Sequence, residues 1–380
     1  METLLIILLL AILTLILIYT FYGRRLKEKK GQEPQAYIDG LKALLEGRDE
    51  VAFGKFREVV SEDSSNIDAY IRIGNILRRY NKIDKALQVH KDLTLRHGLD
   101  NSQKLAILEA VADDFIKLDD YNSAKAALVE AIRLDGNDAQ LSRKLIKVFS
   151  KLGEWDGAFA ARQKLAKFAP DENSKRDLSI YKFLQGRKQF DKKKYRDSRI
   201  TFKEAIHIDE GCVPAYIWIG DSYVAENRLE EAVKFWSDMI KVAPNEAYLV
   251  MGRLKKVLFE LGKFGAISDI CRDILSLATD NIDARLTLAE YHSKKGEHSL
   301  AIEHLKKAAD NHPESFRPVL ALAIIYHHTN ERDKLKDLLE QMENSYESHD
   351  LEYRCQSCHY KSTEKIWLCP SCQAVNSFAK

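Results

Sequence analysis

The sequence predicts an all-α fold: a superhelix of about nine helical hairpins, with a transmembrane helix before it and a small metal-binding module after it. Three observations predict this. A pattern of small residue, aromatic, turn, alanine, bulky apolar residue and proline recurs at a spacing of roughly 34 residues. An uncharged apolar run opens the chain, and four of its six cysteines fall together near its end. Apolar content of 45% and charged content of 31% describe a folded, well-solvated chain, and a net charge of +2 gives no argument for nucleic acid.

The first element is Leu4–Tyr22, an uncharged run broken only by Thr14 and Thr20. As a helix it would span roughly 28 Å, close to a hydrocarbon core. Tyr19, Phe21 and Tyr22 stand where interfacial aromatics belong. Five basic residues follow between Gly23 and Lys30, whereas only Glu2 is charged before the run. That asymmetry orients the rest of the chain toward the cytoplasm. A cleaved signal peptide would need a basic start and a small-x-small cleavage site, and neither is present. We expect residues 1–23 to be an anchor and 24–32 a basic linker.

The repeats occupy residues 33–349, and Val213–Glu246 is the clearest copy. Gly220 admits a neighbouring helix, Tyr223 fills the gap beside it, and Asn227–Arg228 reverse the chain. Ala232, Trp236 and Met239 then form one apolar stripe, at i, i+4 and i+7, before Pro244 ends the helix. Copies begin near residues 33, 67, 105, 139, 179, 213, 248, 282 and 316, with inserted loops expected around Gly98–Gln103 and Pro170–Asp177. In the seventh copy Gly262 and Phe264 fit, but Ala266 falls one place early. One hairpin cannot bury both its faces, so the copies must stack. Spacing and markers resemble the tetratricopeptide repeat, which implies a right-handed superhelix whose concave surface holds a segment of another protein.

In that family's geometry, places 2, 5, 9, 12 and 13 of each copy line the groove. Here they select Asn75, Arg78 and Arg79 in the second copy, and Arg143, Lys147 and Lys151 in the fourth. The fifth supplies Phe183, Arg187 and Phe190. A basic groove with interleaved aromatics would suit an acidic peptide, although lysine and arginine are equally common on solvated helix faces.

Other residues look chemical without forming a site. The eleven histidines include no H-E-x-x-H pattern, and neither a G-x-S-x-G elbow nor a phosphate loop is present, so no enzyme is expected. His292, His298 and His304 are six apart, which would turn them onto different faces of one helix. His327-His328 read as a surface pair. Asp113-Asp114 and Asp119-Asp120 read as exposed positions around a turn. Cys212 and Cys271 read as packed, reduced thiols.

Residues 350–380 follow a different grammar: Cys355-Gln356-Ser357-Cys358, then Cys369-Pro370-Ser371-Cys372. Two C-x-x-C turns place four thiolates around one point, the tetrahedral sulfur cage suited to one iron or zinc ion. A segment of about 30 residues needs such a staple to fold. A cytoplasmic location argues against disulfides, and four sulfur ligands leave no open position for catalysis. The pair resembles rubredoxin-type knuckles or a zinc ribbon, except that His359 and Gln373 stand where glycine is usual. Trp367, Ile366 and Phe378 are expected to pack the module against the last repeats.

Anchor, repeat array and terminal cysteine quartet, in this order, resemble the lipopolysaccharide assembly protein B family over essentially the whole chain. The match rests on Leu4–Tyr22 with Arg24-Arg25, and on Cys355, Cys358, Cys369 and Cys372. The resemblance implies a non-enzymatic, single-pass inner-membrane adaptor facing the cytoplasm. Such an adaptor brings the deacetylase that commits lipid A synthesis to the FtsH protease for degradation. Two other classes stand beside it: a scaffold for lipopolysaccharide assembly factors, and an iron-dependent redox partner. No nucleic-acid partner is expected, and homo-oligomerisation is left open.

Overall fold

The computed structural model describes residues 34–345 and 353–379, with side chains given up to residue 340 of the last helix. The expected anchor and basic linker lie outside the described residues. Among the described residues no helix is long and apolar enough to cross a membrane.

Eighteen α-helices of 11 to 18 residues follow one another among the described residues, making nine antiparallel pairs. First helices begin at Gln35, Ile67, Asn101, Ala139, Ser174, Val213, Tyr248, Ile282 and Phe316. Seven of these nine starts fall within two residues of the expected positions. The third and fifth helices begin earlier, and the two expected loops are in part helix. Asp100 accepts from the amide of Gln103, whose side chain returns a bond to the Asp100 amide. This capping box draws Asn101–Lys117 back by one turn. Ser174–Asp191 likewise absorbs most of its insertion, reaching 18 residues.

Each pair closes through a residue with left-handed backbone. Gly47, Asn81, Asp119, Gly153, Lys193, Asn227, Gly262, Gly296 and Asn330 hold φ between +58° and +79°. Glycine, asparagine and aspartate tolerate that conformation, because the Cβ of other residues crowds the adjacent carbonyl. Lys193 is the exception.

The chain divides into two compact units, one through Val148 and one from Phe149 onward. In the first, Phe56 is fully buried among Ala43, Ala52, Ile73 and Ile76, with Tyr37 edge-on to its ring. A Cβ on Gly40 would meet that ring at 2.9 Å. In the second unit the principal core runs from Ile180 to Leu288 around Trp236. Trp236 is 1% exposed and donates its indole N–H to the Ile217 carbonyl at 3.1 Å. A Cβ on Gly220 would stand 2.2 Å from that nitrogen, so glycine is needed there. The packing roles expected of Gly220, Ala232 and Trp236 are borne out.

His90 holds in the second hairpin the place of Trp236 in the sixth. Its ring lies against Gly74 and its Nε2 is 3.3 Å from the Ile71 carbonyl. Its Nδ1 faces the Asp114 carboxylate, which also accepts from Arg78 at 2.8 Å. Asp113 pairs with Lys144 at 2.6 Å. These aspartates are therefore not exposed turn positions: Asp114 is wholly buried. The seventeen-residue helix carries them inward, and the turn falls later, at Asp119.

Candidate metal centre and repeat faces

Two knuckles with matching backbone bonds hold the cysteine quartet. In the first, the His359 amide donates to Cys355 O at 2.8 Å and the Cys355 amide to Tyr360 O at 2.9 Å. In the second, Gln373 donates to Cys369 O and Cys369 to Ala374 O, both at 2.9 Å. His359 and Gln373 take φ of +59° and +61°, the left-handed backbone that glycine usually supplies. Strand β1 (Tyr353–Cys355) pairs antiparallel with β2 (Lys361–Ser362) and β3 (Phe378–Ala379), bringing the knuckles face to face.

All four Sγ atoms lie within 4.8 Å of one another. Cys355 and Cys372 are 3.7 Å apart at sulfur, and Cys358 and Cys369 are 3.6 Å apart. Tetrahedral thiolate ligation at about 2.3 Å requires sulfurs about 3.8 Å apart, so the residues fit a metal ion. The donor chemistry agrees. Burial raises the Cys355 thiol, but the Ser377 hydroxyl and the amides of Ser357 and Cys358 outweigh it and bring it down to about 6. Cys372 is pushed up to about 12, by burial first and then by the neighbouring sulfurs. Four thiolates held this close together need a cation to offset their charge. Iron and zinc both satisfy this geometry.

The module folds back onto the repeats. Lys151 donates to the carbonyl of Pro370 at 2.8 Å, and Lys365 meets Glu246 at 2.7 Å. Trp367 and Val375 pack against the core that surrounds Trp236. Burial, and then a hydrogen bond with Tyr353, raises the hydroxyl pKa of Tyr248. The expectation of docking on the last repeats is thus corrected, because the contacts fall on the fourth, sixth and seventh hairpins. Ile366 and Phe378 instead fill the module's own core beside Cys355 and Cys369. Lys151, Glu246 and Lys365 were not legible as a docking set, since nothing in the sequence pairs residues so far apart. Trp367, a large apolar ring in a small polar module, was the one usable signal.

The expected groove residues separate into three kinds. Phe183 is 4% exposed and stacked on Phe202 at 5.6 Å, so it belongs to the packing and offers no binding surface. Place 5 turns inward here because Gly186, three residues on, lets the second helix close over it. Arg78 is occupied by Asp113, Asp114 and Asn75, and Arg79 pairs with Asp49 at 2.8 Å. Much of the expected basic face is therefore internally neutralised. Arg143 and Lys147 stand exposed, one turn apart, with no ion pair among the described residues. Arg187 bonds Asp191 at 2.9 Å and lies 3.4 Å above the ring of Trp218.

His292 and His304 do meet, with rings parallel at 5.6 Å. The turn at Gly296 lies between them, so they sit on facing helices rather than around one helix. They repeat the Tyr223–Phe235 stack of the sixth hairpin, which is packing rather than ligation. Cys212 and Cys271 are buried, and burial pushes each thiol up to about 12.

No family model matches the chain. It is similar to curated proteins named lipopolysaccharide assembly protein B. It is 22% identical to that of Haemophilus influenzae, over 94% of both chains. It is also 22% identical to that of Escherichia coli K12, over 93% of this chain and 92% of that one. The resemblance seen in the sequence is borne out. Among solved structures, a complex titled Naa15/Naa10 bound to HypK-THB aligns with 14% identity and a TM-score of 0.46. That match covers 82% of this chain and 52% of the other. YrrB, titled a tetratricopeptide protein with an unusual peptide-binding site, aligns with 19% identity and a TM-score of 0.33, covering 50% and 92%.

Proposed function

We propose that this protein is a non-enzymatic adaptor regulating lipopolysaccharide synthesis at a bacterial inner membrane. In this reading Leu4–Tyr22 anchors it, and the repeats present the deacetylase that commits lipid A synthesis to the FtsH protease. The similarity to lipopolysaccharide assembly protein B along nearly the whole chain carries the reading. The physical argument is one of effective concentration: an anchored array samples partners within the membrane plane, where an integral-membrane protease also resides.

The repeats supply the binding faces and the metal supplies stability. Cys355, Cys358, Cys369 and Cys372 would hold one iron or zinc ion. Its chemistry is to neutralise four thiolates and fix the two knuckles. Trp367, Lys365 and Lys151 then keep the module on the repeats. For the partner, Arg143 and Lys147 are exposed cations on the first helix of the fourth hairpin with no ion pair among the described residues, and Arg187 over Trp218 forms a second platform. Both suit an acidic segment.

Cross-linking in intact membranes, followed by mass spectrometry, tests the reading together with protein half-lives in a deletion strain. The expected result is capture of the deacetylase and the protease, with a longer deacetylase half-life after deletion. An unchanged half-life with no lipid A enzyme captured overturns it. Charge reversal at Arg143 and Lys147 is expected to reduce capture.

A further inference from the structure

We propose that the turn of the fifth hairpin is a docking surface for anionic phospholipid headgroups. Lys188, Lys192, Lys193, Lys194 and Arg196 fall at the junction of helices Ser174–Asp191 and Tyr195–Ile208, and all five are exposed. None of their side chains has a charged or hydrogen-bonding partner among the described residues. Asp191, beside Lys192 in the chain, is engaged by Arg187 at 2.9 Å, leaving Asp197 as the other acid of the turn. Ile200 is 53% exposed one helical turn beyond Arg196, on the same face. Exposed cations beside an exposed aliphatic side chain form a membrane-surface arrangement.

Lys193 supplies an independent observation. The other eight turns place glycine, asparagine or aspartate at the left-handed residue, whereas the fifth places lysine there at φ +59°. Its amide bonds the Phe190 carbonyl at 2.7 Å, as a glycine amide would. Its side chain is exposed, so packing does not require it. Charge is what lysine adds at an unfavourable backbone position. Four of the five cations are lysines, flexible point charges rather than planar forks. They suit a diffuse layer of headgroup phosphates better than a single phosphorylated or carboxylate-rich peptide, which favours bidentate arginine.

This inference goes beyond the adaptor reading and needs neither of its protein partners. Its test uses the full chain in lipid nanodiscs, made of phosphatidylcholine alone or of equal parts phosphatidylcholine and phosphatidylglycerol. A fluorophore on Asp197→Cys reports quenching by headgroup-labelled lipid. Strong quenching is expected only with phosphatidylglycerol, and it should fade as salt is raised. Each cation near such a surface is worth about five-fold. Lys193→Gly should therefore lower the ratio of docked to free turn about five-fold, with no fall in melting temperature. Lys193→Arg should retain docking. The triple reversal Lys192→Glu, Lys194→Glu, Arg196→Glu should bring quenching to the phosphatidylcholine level. Equal quenching in the two lipids, or quenching indifferent to the triple reversal, overturns the proposal. Contact that appears only after adding nucleic acid or an acidic protein overturns it too.

Discussion

The ammonium of Lys151 donates to the backbone carbonyl of Pro370, joining residues 219 positions apart. Pro370 lies between Cys369 and Cys372, so the bond links a metal knuckle to the fourth hairpin. With Lys365 on Glu246 and Trp367 on the core, it ties the module to the repeats at three points. Removing the metal with a strong chelator, or making Cys369→Ser, is expected to expose Trp367 while the helices persist. The measurement is a red shift in tryptophan emission that is absent from Trp367→Phe, with far-ultraviolet ellipticity nearly unchanged. A module that stays docked without metal would contradict this coupling.

Asp114 is the shared acceptor for His90 and Arg78, and both it and His90 are fully buried. Asp114→Ala leaves buried His90 without its acceptor and takes one of two acids from half-buried Arg78, which costs about 1–3 kcal/mol. Denaturant unfolding checks this. A loss below about 1 kcal/mol would mean that water or a side-chain shift restores the bonds.

Gly220 and Gly252 are helical glycines with opposite surroundings. A Cβ at Gly220 collides with buried Trp236, whereas nothing lies within 4 Å of one at Gly252. Gly220→Ala is expected to cost about 1–3 kcal/mol through overpacking. Gly252→Ala should stabilise by about 0.5–1 kcal/mol through helix propensity. Opposite shifts in thermal midpoint test the pair.

Burial, and then the neighbouring His292, holds the His304 imidazole below its ordinary 6.5. The unfolded chain therefore binds this proton first, so stability rises with pH through that region and is lost as pH falls below about 6.5. His312, raised by the Asp280 carbonyl and then by Glu314, acts in the opposite sense. Comparison with His304→Phe, which copies the Phe235 position, isolates the effect. Protection factors in the eighth hairpin, corrected for the intrinsic exchange rate at each pH, should fall on acidification to about pH 5.5 in the parent, and less so in the variant.

The order of elements was legible in the residues themselves because helical hairpins are local structures. Small residue, turn residue, alanine and proline act within one copy, so seven first-helix starts could be read to within two residues. The helices start early at Asn101 and Ser174, where inserted residues carry their own helix signals, as Asp100 and Gln103 do. The convergence of the four cysteines was equally legible, since two C-x-x-C turns need only a short chain to converge.

Charge pairing was not legible, because it depends on which copies face each other. Arg78 reads as a groove cation until Asp114 is found beside it, and Phe183 reads as a groove aromatic until Phe202 covers it. The repeat, its register and the cysteine quartet are thus properties of the chain alone, set by contacts spanning one or two turns. Tertiary structure decided which cations are neutralised, where the module sits, and that His292 and His304 stack. Each of these depends on residues that meet only after the hairpins close and stack, and a linear pattern does not encode those distances.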